Sequence, residues 1–384
     1  MTCPEVVLAR CEDYSDDKVF AALKTALAPL NGLGFVKPGM KVAIKANLVS
    51  FLKPDAAATT HPALLCALVK MLVERGAVVT VGDSPGGLYT KAYVGHVYSA
   101  TGVTEVERFG GNLNWNFEQT NVHFEKGAVL KDFMYTAYLN DADAIINFSK
   151  LKTHGMMAYS GAAKNMFGVI PGTIKPEYHF RFPNQADFAD MIVDLAEYTK
   201  PVLSITDGVI GMEGNGPTMG TPRRIGVIGA SFSPHKLDLA CARIIGLGKD
   251  NVPTLQAAWK RGLIPKSADE LDICGNIEDF IVPDFQRIEN YNSILFRNQL
   301  PGLFGKAFGG IAQKALCSFP KVLNDECIGC GKCADICPAK AIHLERKIPR
   351  IERNACIHCF CCQEFCPKGA MKVKRPIVAR VLNK

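Results

Sequence analysis

Near the carboxyl end of this 384-residue chain an eleven-residue thiol pattern occurs twice. Cys327-x-x-Cys330-x-x-Cys333-x-x-x-Cys337-Pro338 is followed by Cys356-x-x-Cys359-x-x-Cys362-x-x-x-Cys366-Pro367. Three thiolates at equal steps and a fourth before proline form a ligand run for a [4Fe–4S] cube. The pattern therefore predicts two [4Fe–4S] clusters and single-electron chemistry. Structural zinc sites would use paired Cys-x-x-Cys knuckles with longer gaps between them. A disulfide framework belongs to small domains in oxidising compartments. Cys361 lies off the spacing and is read as a neighbour packed against a cluster.

Between the runs, Ala341–Leu344 and Ile348–Ile351 read as a short hairpin, and Ala370–Val373 repeats its first strand after the second run. This internal duplication resembles the bacterial two-cluster ferredoxins over roughly residues 320–375. In such runs the fourth cysteine serves the other cluster. The resemblance thus implies one ligand set of Cys327, Cys330, Cys333 and Cys366, and a second of Cys356, Cys359, Cys362 and Cys337.

The chain is too long for that module alone and fits two or three domains. Apolar residues make up 48% and charged residues 21%, which permits a large ordinary core. No stretch approaches the roughly 20 apolar residues of a spanning helix. The amino end shows no secretion signal, and the scattered remaining cysteines suit a reducing compartment, so a cytoplasmic location is expected. Charge is uneven: residues 1–319 balance 31 Lys and Arg against 31 Asp and Glu, whereas residues 320–384 hold 13 against 6. Each thiolate-bound cube adds about −2, which offsets much of that excess. Lys372, Lys374, Arg375, Arg380 and Lys384 then read as a docking face for an acidic redox protein, donor or acceptor. Nucleic acid is disfavoured, because no aromatics interleave the charges.

Six β-branched runs, at 6–9, 41–46, 77–82, 144–148, 202–206 and 225–229, alternate with helical stretches at 16–30, 62–75, 185–198 and 235–245. That alternation predicts an α/β domain over 1–290 with a largely parallel sheet. Residues 103–140 break the pattern and read as an antiparallel extension. An amphipathic connector over 291–319 leads to a small α+β ferredoxin-like domain with a basic tail over 320–384. Its mixture of apolar and basic residues would suit contact with a membrane surface, but four glycines weaken it as a helix, and a packed linker is the favoured reading.

Ligands of open α/β sheets sit beyond the carboxyl ends of the strands. Four strands here end in unusual residues: Lys45-Ala46-Asn47, Gly82-Asp83-Ser84-Pro85-Gly86-Gly87, Ser149-Lys150-Leu151-Lys152-Thr153-His154, and Asp207 through Pro217. Lys45, Lys150, Lys152 and Lys164 would meet a small anion, with Asn47, Ser84 and Asn165 as polar neighbours. Asp83, Asp207 and Glu213 would orient the lysines or hold a cation, and His154, Lys152 and Lys164 are the candidate catalytic groups. Any one of these residues alone is commonly a solvated charge, a turn or a cap; their agreement at one sheet edge is the signal. Asp238 serves equally as a cap or a ligand. Gly82–Gly87 matches neither a Walker loop nor a dinucleotide fingerprint.

Together with Lys164-Asn165-Met166-Phe167-Gly168 and Asp207-Gly208-x-x-Gly211-Met212-Glu213-Gly214-x-Gly216-Pro217, these motifs resemble the DUF362 family over nearly all of residues 5–290. The resemblance implies an iron–sulfur protein whose activity is undefined. One departure is Ser233-Pro234, where that family often has Asp-Pro. Two functions follow. In the first, two clusters pass single electrons to or from a small anion bound in the α/β domain, a ferredoxin-type oxidoreductase. In the second, the chain is a non-catalytic electron-transfer or redox-sensing module whose front domain recognises a protein partner or regulatory ligand.

Overall fold

The computed structural model describes residues 3–288 and 319–374. The connector expected over 291–319 falls outside them, Phe319 excepted, as does the basic end from Arg375 onward. The chain opens with β1 (Val6–Arg10), α1 (Asp16–Leu27), β2 (Lys41–Lys45), α2 (Pro62–Val73), β3 (Val78–Gly82), α3 (Lys91–Thr101) and β4 (Asn112–Leu113). A hairpin of β5 (Gln119–His123) and β6 (Asp132–Thr136) precedes β7 (Ala144–His154), β8 (Ala158–Ser160), α4 (Ala162–Asn165), α5 (Lys175–Arg181) and α6 (Gln185–Thr199). The large domain closes with β9 (Leu203–Glu213), β10 (Thr221–Ser231), α7 (Pro234–Ile244), α8 (Pro253–Lys260) and β11 (Ile273–Cys274).

These strands build one sheet in the order β11–β1–β10–β9–β7–β2–β3–β4, with β8 paired on β7. The run from β9 through β4 is parallel, so the carboxyl ends of β2, β3, β7 and β9 share one edge. β10 is antiparallel to both β9 and β1, and β11 pairs parallel with β1. Apolar side chains from alternating strand positions fill two cores. One lies under α1, α2 and α3 and the other under α4, α6, α7 and α8, which gives three layers. Helix starts follow the sequence chemistry. Pro62 and Pro234 occupy first turns, while His61 and Ser233 accept N–H bonds from Ala63 and Lys236.

The antiparallel pairing expected over 103–140 forms as the β5–β6 hairpin, while β4 in the same stretch joins the main sheet parallel to β3. The buried Asp194 carboxylate anchors the hairpin's far end by accepting N–H bonds from Ala128, Val129 and Leu130, each at 2.9 Å. β7 and β9 were expected to end at Phe148 and Thr206, yet each runs for eleven residues. Their extensions project past the sheet edge and carry polar residues that composition alone reads as loop.

The carboxyl-terminal part holds β12 (Phe319–Val322), α9 (Lys332–Asp335), β13 (Ile342–Glu345), β14 (Ile348–Ile351), α10 (Cys361–Glu364) and β15 (Met371–Lys374). The expected hairpin forms as β13–β14, and β15 closes against β12. The duplication reaches the backbone. Gly329 and Gly331 of the first run are left-handed, and His358 and Phe360 occupy the same conformation at the matching positions of the second. For Phe360 that conformation is costly, and it turns the ring against Gly155 of the large domain.

Candidate functional site

The eight ligand-run thiols gather into two hollows. Cys327, Cys330, Cys333 and Cys366 line one, together with Val322, Ile328, Pro349 and Met371. Cys337, Cys356, Cys359 and Cys362 line the other, together with Ala341, Ile342, Ile357 and Phe360. Each set draws its fourth thiol from the opposite run. Among the described residues no three Cys, His, Asp or Glu side chains converge on a single ion. Four thiols around each hollow, in mostly apolar walls, are a donor set that fits a [4Fe–4S] cube. Cys337 Sγ also accepts an N–H bond from Ala341 at 3.3 Å, the kind of contact that tunes a cluster's potential. The first thiol set is the more exposed, with Cys330 at the surface and Cys327 and Cys366 half-buried. In the second, Cys337, Cys359 and Cys362 are buried.

A cleft of about 780 Å³, its open mouth included, lies between the carboxyl edge of the sheet and helix α10. Its walls include Lys45, Asn47, Asp83, Ser84, Lys152, His154, Lys164 and Asn165, all expected from the sequence, and also Lys175, His179, Cys361, Glu364 and Phe365. Cys361 lines both this cleft and the second thiol hollow. The two modules are pinned there. Gln363 Nε2 donates to Asn215 O and Gly216 O, each at 3.1 Å, and Thr218 Oγ1 donates to Glu364 O at 3.4 Å. Phe365 packs so closely on Gly86 that a Cβ there would stand 2.6 Å from the ring.

Lys45 closes the cleft floor. Its ammonium meets Asp83 Oδ1 at 2.7 Å, Asn165 Oδ1 at 2.7 Å and Ala46 O at 3.0 Å. Gly168 is required beside it, because an added Cβ would stand 2.1 Å from Lys45 Nζ. Lys152 Nζ donates to the neutral acceptors Asn47 Oδ1 and Ala58 O, each at 2.7 Å. Burial, then the neighbouring Lys164, push its pKa down to about 7. Lys175 donates to Ser84 O, and burial with Lys45 and Lys164 nearby outweighs Asp83 to leave it also at about 7. Lys164 has no hydrogen-bond acceptor or ion-pair partner among the described residues. Its ammonium stands 4.8 Å from the centre of the Phe167 ring, and burial lowers its pKa while Glu364 opposes that shift.

His154 is buried at the end of β7. Nδ1 accepts N–H bonds from Met156 at 3.1 Å and Met157 at 3.2 Å, which leaves the proton on Nε2, 3.0 Å from Glu364 Oε1. Burial, reinforced by Lys164, keeps the ring neutral. His179 is held neutral by burial as well, and its Nδ1 has no hydrogen-bond partner.

Three expected site residues lie elsewhere. Lys150 and Asp207 sit within the long strands rather than at their ends, paired at 2.8 Å on the α1 and α2 side. Tyr14 OH donates to Asp207 at 2.8 Å and accepts from Lys150, and His61 N donates to Asp207 at 3.0 Å. Glu213 accepts from Gln286 N at 3.0 Å and fixes the end of β9. Asp238 proves to be a cap, accepting from Ala162 N at 2.6 Å and Ala163 N at 2.8 Å at the start of α4. Lys175, His179 and Glu364 carried no spacing signal, because only the fold brings α5 and the segment between Cys362 and Cys366 to this edge.

Residues 42–243 match the family model described as a domain of unknown function, DUF362. The chain belongs to the DUF362 family. Residues 320–367 match a 4Fe–4S dicluster domain, so this DUF362 protein carries an iron–sulfur module with an electron-transfer role. A thylakoid-associated protein of Synechocystis is 33% identical over 273 residues, covering 69% of this chain and 81% of that relative. Among solved structures, a Thermotoga maritima protein is 17% identical with a TM-score of 0.36, covering 57% of this chain and 56% of that one. The lactate racemase apoprotein of Thermoanaerobacterium thermosaccharolyticum is 12% identical with a TM-score of 0.39, covering 62% of this chain. The DUF362 chain spans a little over half the length of both solved chains, 56% in each case. Among its described residues no helix is long and apolar enough to cross a membrane.

Proposed function

We propose that this protein is an oxidoreductase that exchanges single electrons with a small anion bound in the cleft. The observation that carries the reading is Cys361, which walls both the cleft and the second thiol hollow. Cys327, Cys330, Cys333 and Cys366 would hold an outer [4Fe–4S] cluster, and Cys337, Cys356, Cys359 and Cys362 an inner one. Bound there, the clusters supply one-electron transfer, the chemistry of such cubes. The exposed Cys330 side offers the approach for an external redox protein, in a reducing, cytoplasmic setting.

The remaining roles belong to side chains. Lys164, Lys152 and Lys175 bind the anion and orient it under α10. Phe167, Pro217 and Phe365 restrict water, which strengthens each of those charged contacts. His154 Nε2–H is the proton donor within the cleft, its ring held by the Met156 and Met157 N–H bonds to Nδ1.

The test uses anaerobically prepared full-length protein with its iron and acid-labile sulfide quantified. Small carboxylates and phosphates are screened for a change in the visible and electron paramagnetic spectra of one cluster, and for oxidation of the reduced protein. A response abolished by Lys164→Met with iron content intact supports the reading. Absence of any response across the screen overturns it, and undiminished electron delivery to a protein acceptor would then favour the non-catalytic carrier.

A further inference from the structure

The cleft's charges are unbalanced in a way that names its ligand further, provided that the cleft binds an anion as proposed above. Lys45 and Asp83 cancel at 2.7 Å, and the Lys45 ammonium also donates to Ala46 O and Asn165 Oδ1. Lys152 is met only by an amide and a carbonyl oxygen, and Lys175 only by the Ser84 carbonyl and hydroxyl. Lys164 is met only by the aromatic faces of Phe167 and Phe188. Against these three ammonium groups stands a single carboxylate, Glu364, which also faces His154. With the three lysines protonated and both histidines neutral, the side chains lining the cleft therefore sum to two positive charges, with no carboxylate in contact with any of the three ammonium groups among the described residues. A cube in the adjoining hollow would face that surplus with about −2 from behind Cys361. Buried charge of that kind calls for a partner or for loss of protons. The buried, unpartnered Nδ1 of His179 lies on the same wall and offers a further polar contact.

We propose that the cleft takes a dianion of metabolite size, with one anionic group on Lys164 and its charge completed by Lys152 and Lys175. A dicarboxylate and a phosphate monoester share that chemistry. Burial holds Lys152 and Lys175 near 7, and a dianion beside them would favour their charged forms. Binding of a dianion should then draw protons from solution near neutral pH.

The experiment is calorimetry on the iron-loaded full chain at pH 7.5 with succinate, monomethyl succinate, inorganic phosphate and acetate. Each titration is run in two buffers of different ionisation enthalpy. Succinate or phosphate should bind at least tenfold more tightly than the monoanion of similar size, with net proton uptake. Which of the two prevails distinguishes the dicarboxylate from the phosphate source. Lys164→Met should weaken the preferred dianion at least tenfold, whereas Lys164→Arg, which keeps the charge, should stay within a few-fold of the parent. Equal affinity for succinate and its monomethyl ester, with phosphate no tighter than acetate, overturns the dianion while leaving an anion-binding cleft. An unchanged affinity in Lys164→Met also overturns it. Failure of all four probes overturns both this inference and the function on which it rests.

Discussion

His154 Nε2 stands 3.0 Å from Glu364 Oε1, joining the end of β7 in the large domain to α10 in the thiol-rich one. The contact places a neutral imidazole and a carboxylate at the boundary between the cleft and the inner thiol hollow. Glu364 is also the carboxylate that partly offsets Lys152, Lys164 and Lys175, since it opposes the lowering of the pKa of each. Replacing it by glutamine keeps the shape and an acceptor while removing the charge. Glu364→Gln should therefore bind succinate or phosphate several-fold more tightly than the parent, with iron content unchanged. Weaker binding in the calorimeter would mean that Glu364 contacts the ligand itself.

The crossed thiol sets make a second prediction. Cys359 is one of four thiols around the inner hollow, whereas Cys361 lines the hollow but lies off the ligand spacing. Cys359→Ser should lower bound iron and labile sulfide to about half, the loss of one of two cubes. Cys361→Ser should retain the full complement. Iron analysis with electron paramagnetic spectra checks both, and equal losses would make Cys361 a ligand.

Removal of Lys150 separates architecture from binding. Lys150 and Asp207 are both fully buried, and Asp207 also accepts from Tyr14 and from His61 N. Lys150→Met leaves a buried carboxylate without its cation, at a cost of about 3–5 kcal/mol. Thermal and proteolytic resistance should fall sharply, while the folded fraction binds phosphate or succinate as the parent does. Lys164→Met should show the reverse, near-normal stability with lost binding. A Lys150 variant that is stable but fails to bind would return Lys150 to the cleft.

That contrast shows what was legible in the sequence. The strand–helix alternation, the edge where motifs collect and the pairing of the two cysteine runs all follow from local patterns with fixed periods. Lys45, Asn47, Asp83, Lys152 and His154 follow because each stands at or near a strand end, and Asn165 follows from its motif with Lys164. Lys150 and Asp207 were misplaced because β7 and β9 run on past the edge, and a bulge shifts their register between Lys150 and Lys152. No spacing rule reports such an overhang. Lys175 and Glu364 were silent for another reason: their role depends on α5 and α10 folding over a site built by other segments.

Lys152 and Lys175 give the last prediction its sign. Both titrate near 7 in the folded chain, against about 10.4 for lysine in an unfolded one. Below pH 7 both states hold the protons, so the burial penalty is present in full and does not vary with pH. Between about pH 7 and 10 the unfolded chain binds more protons than the folded chain, so stability should rise with pH. Ligand affinity should move the other way, since a dianion needs the protonated lysines and loses them as pH climbs. Melting midpoints at a fixed scan rate between pH 6.5 and 8.5 should therefore increase without phosphate or succinate. The gain from adding the ligand that binds should shrink over the same range. Lys152→Met removes one of the two titrations and should flatten the ligand-free slope. A parent protein whose midpoint falls between pH 7 and 8.5, with Lys152→Met following the same curve, would show that these ammonium groups are not the groups titrating.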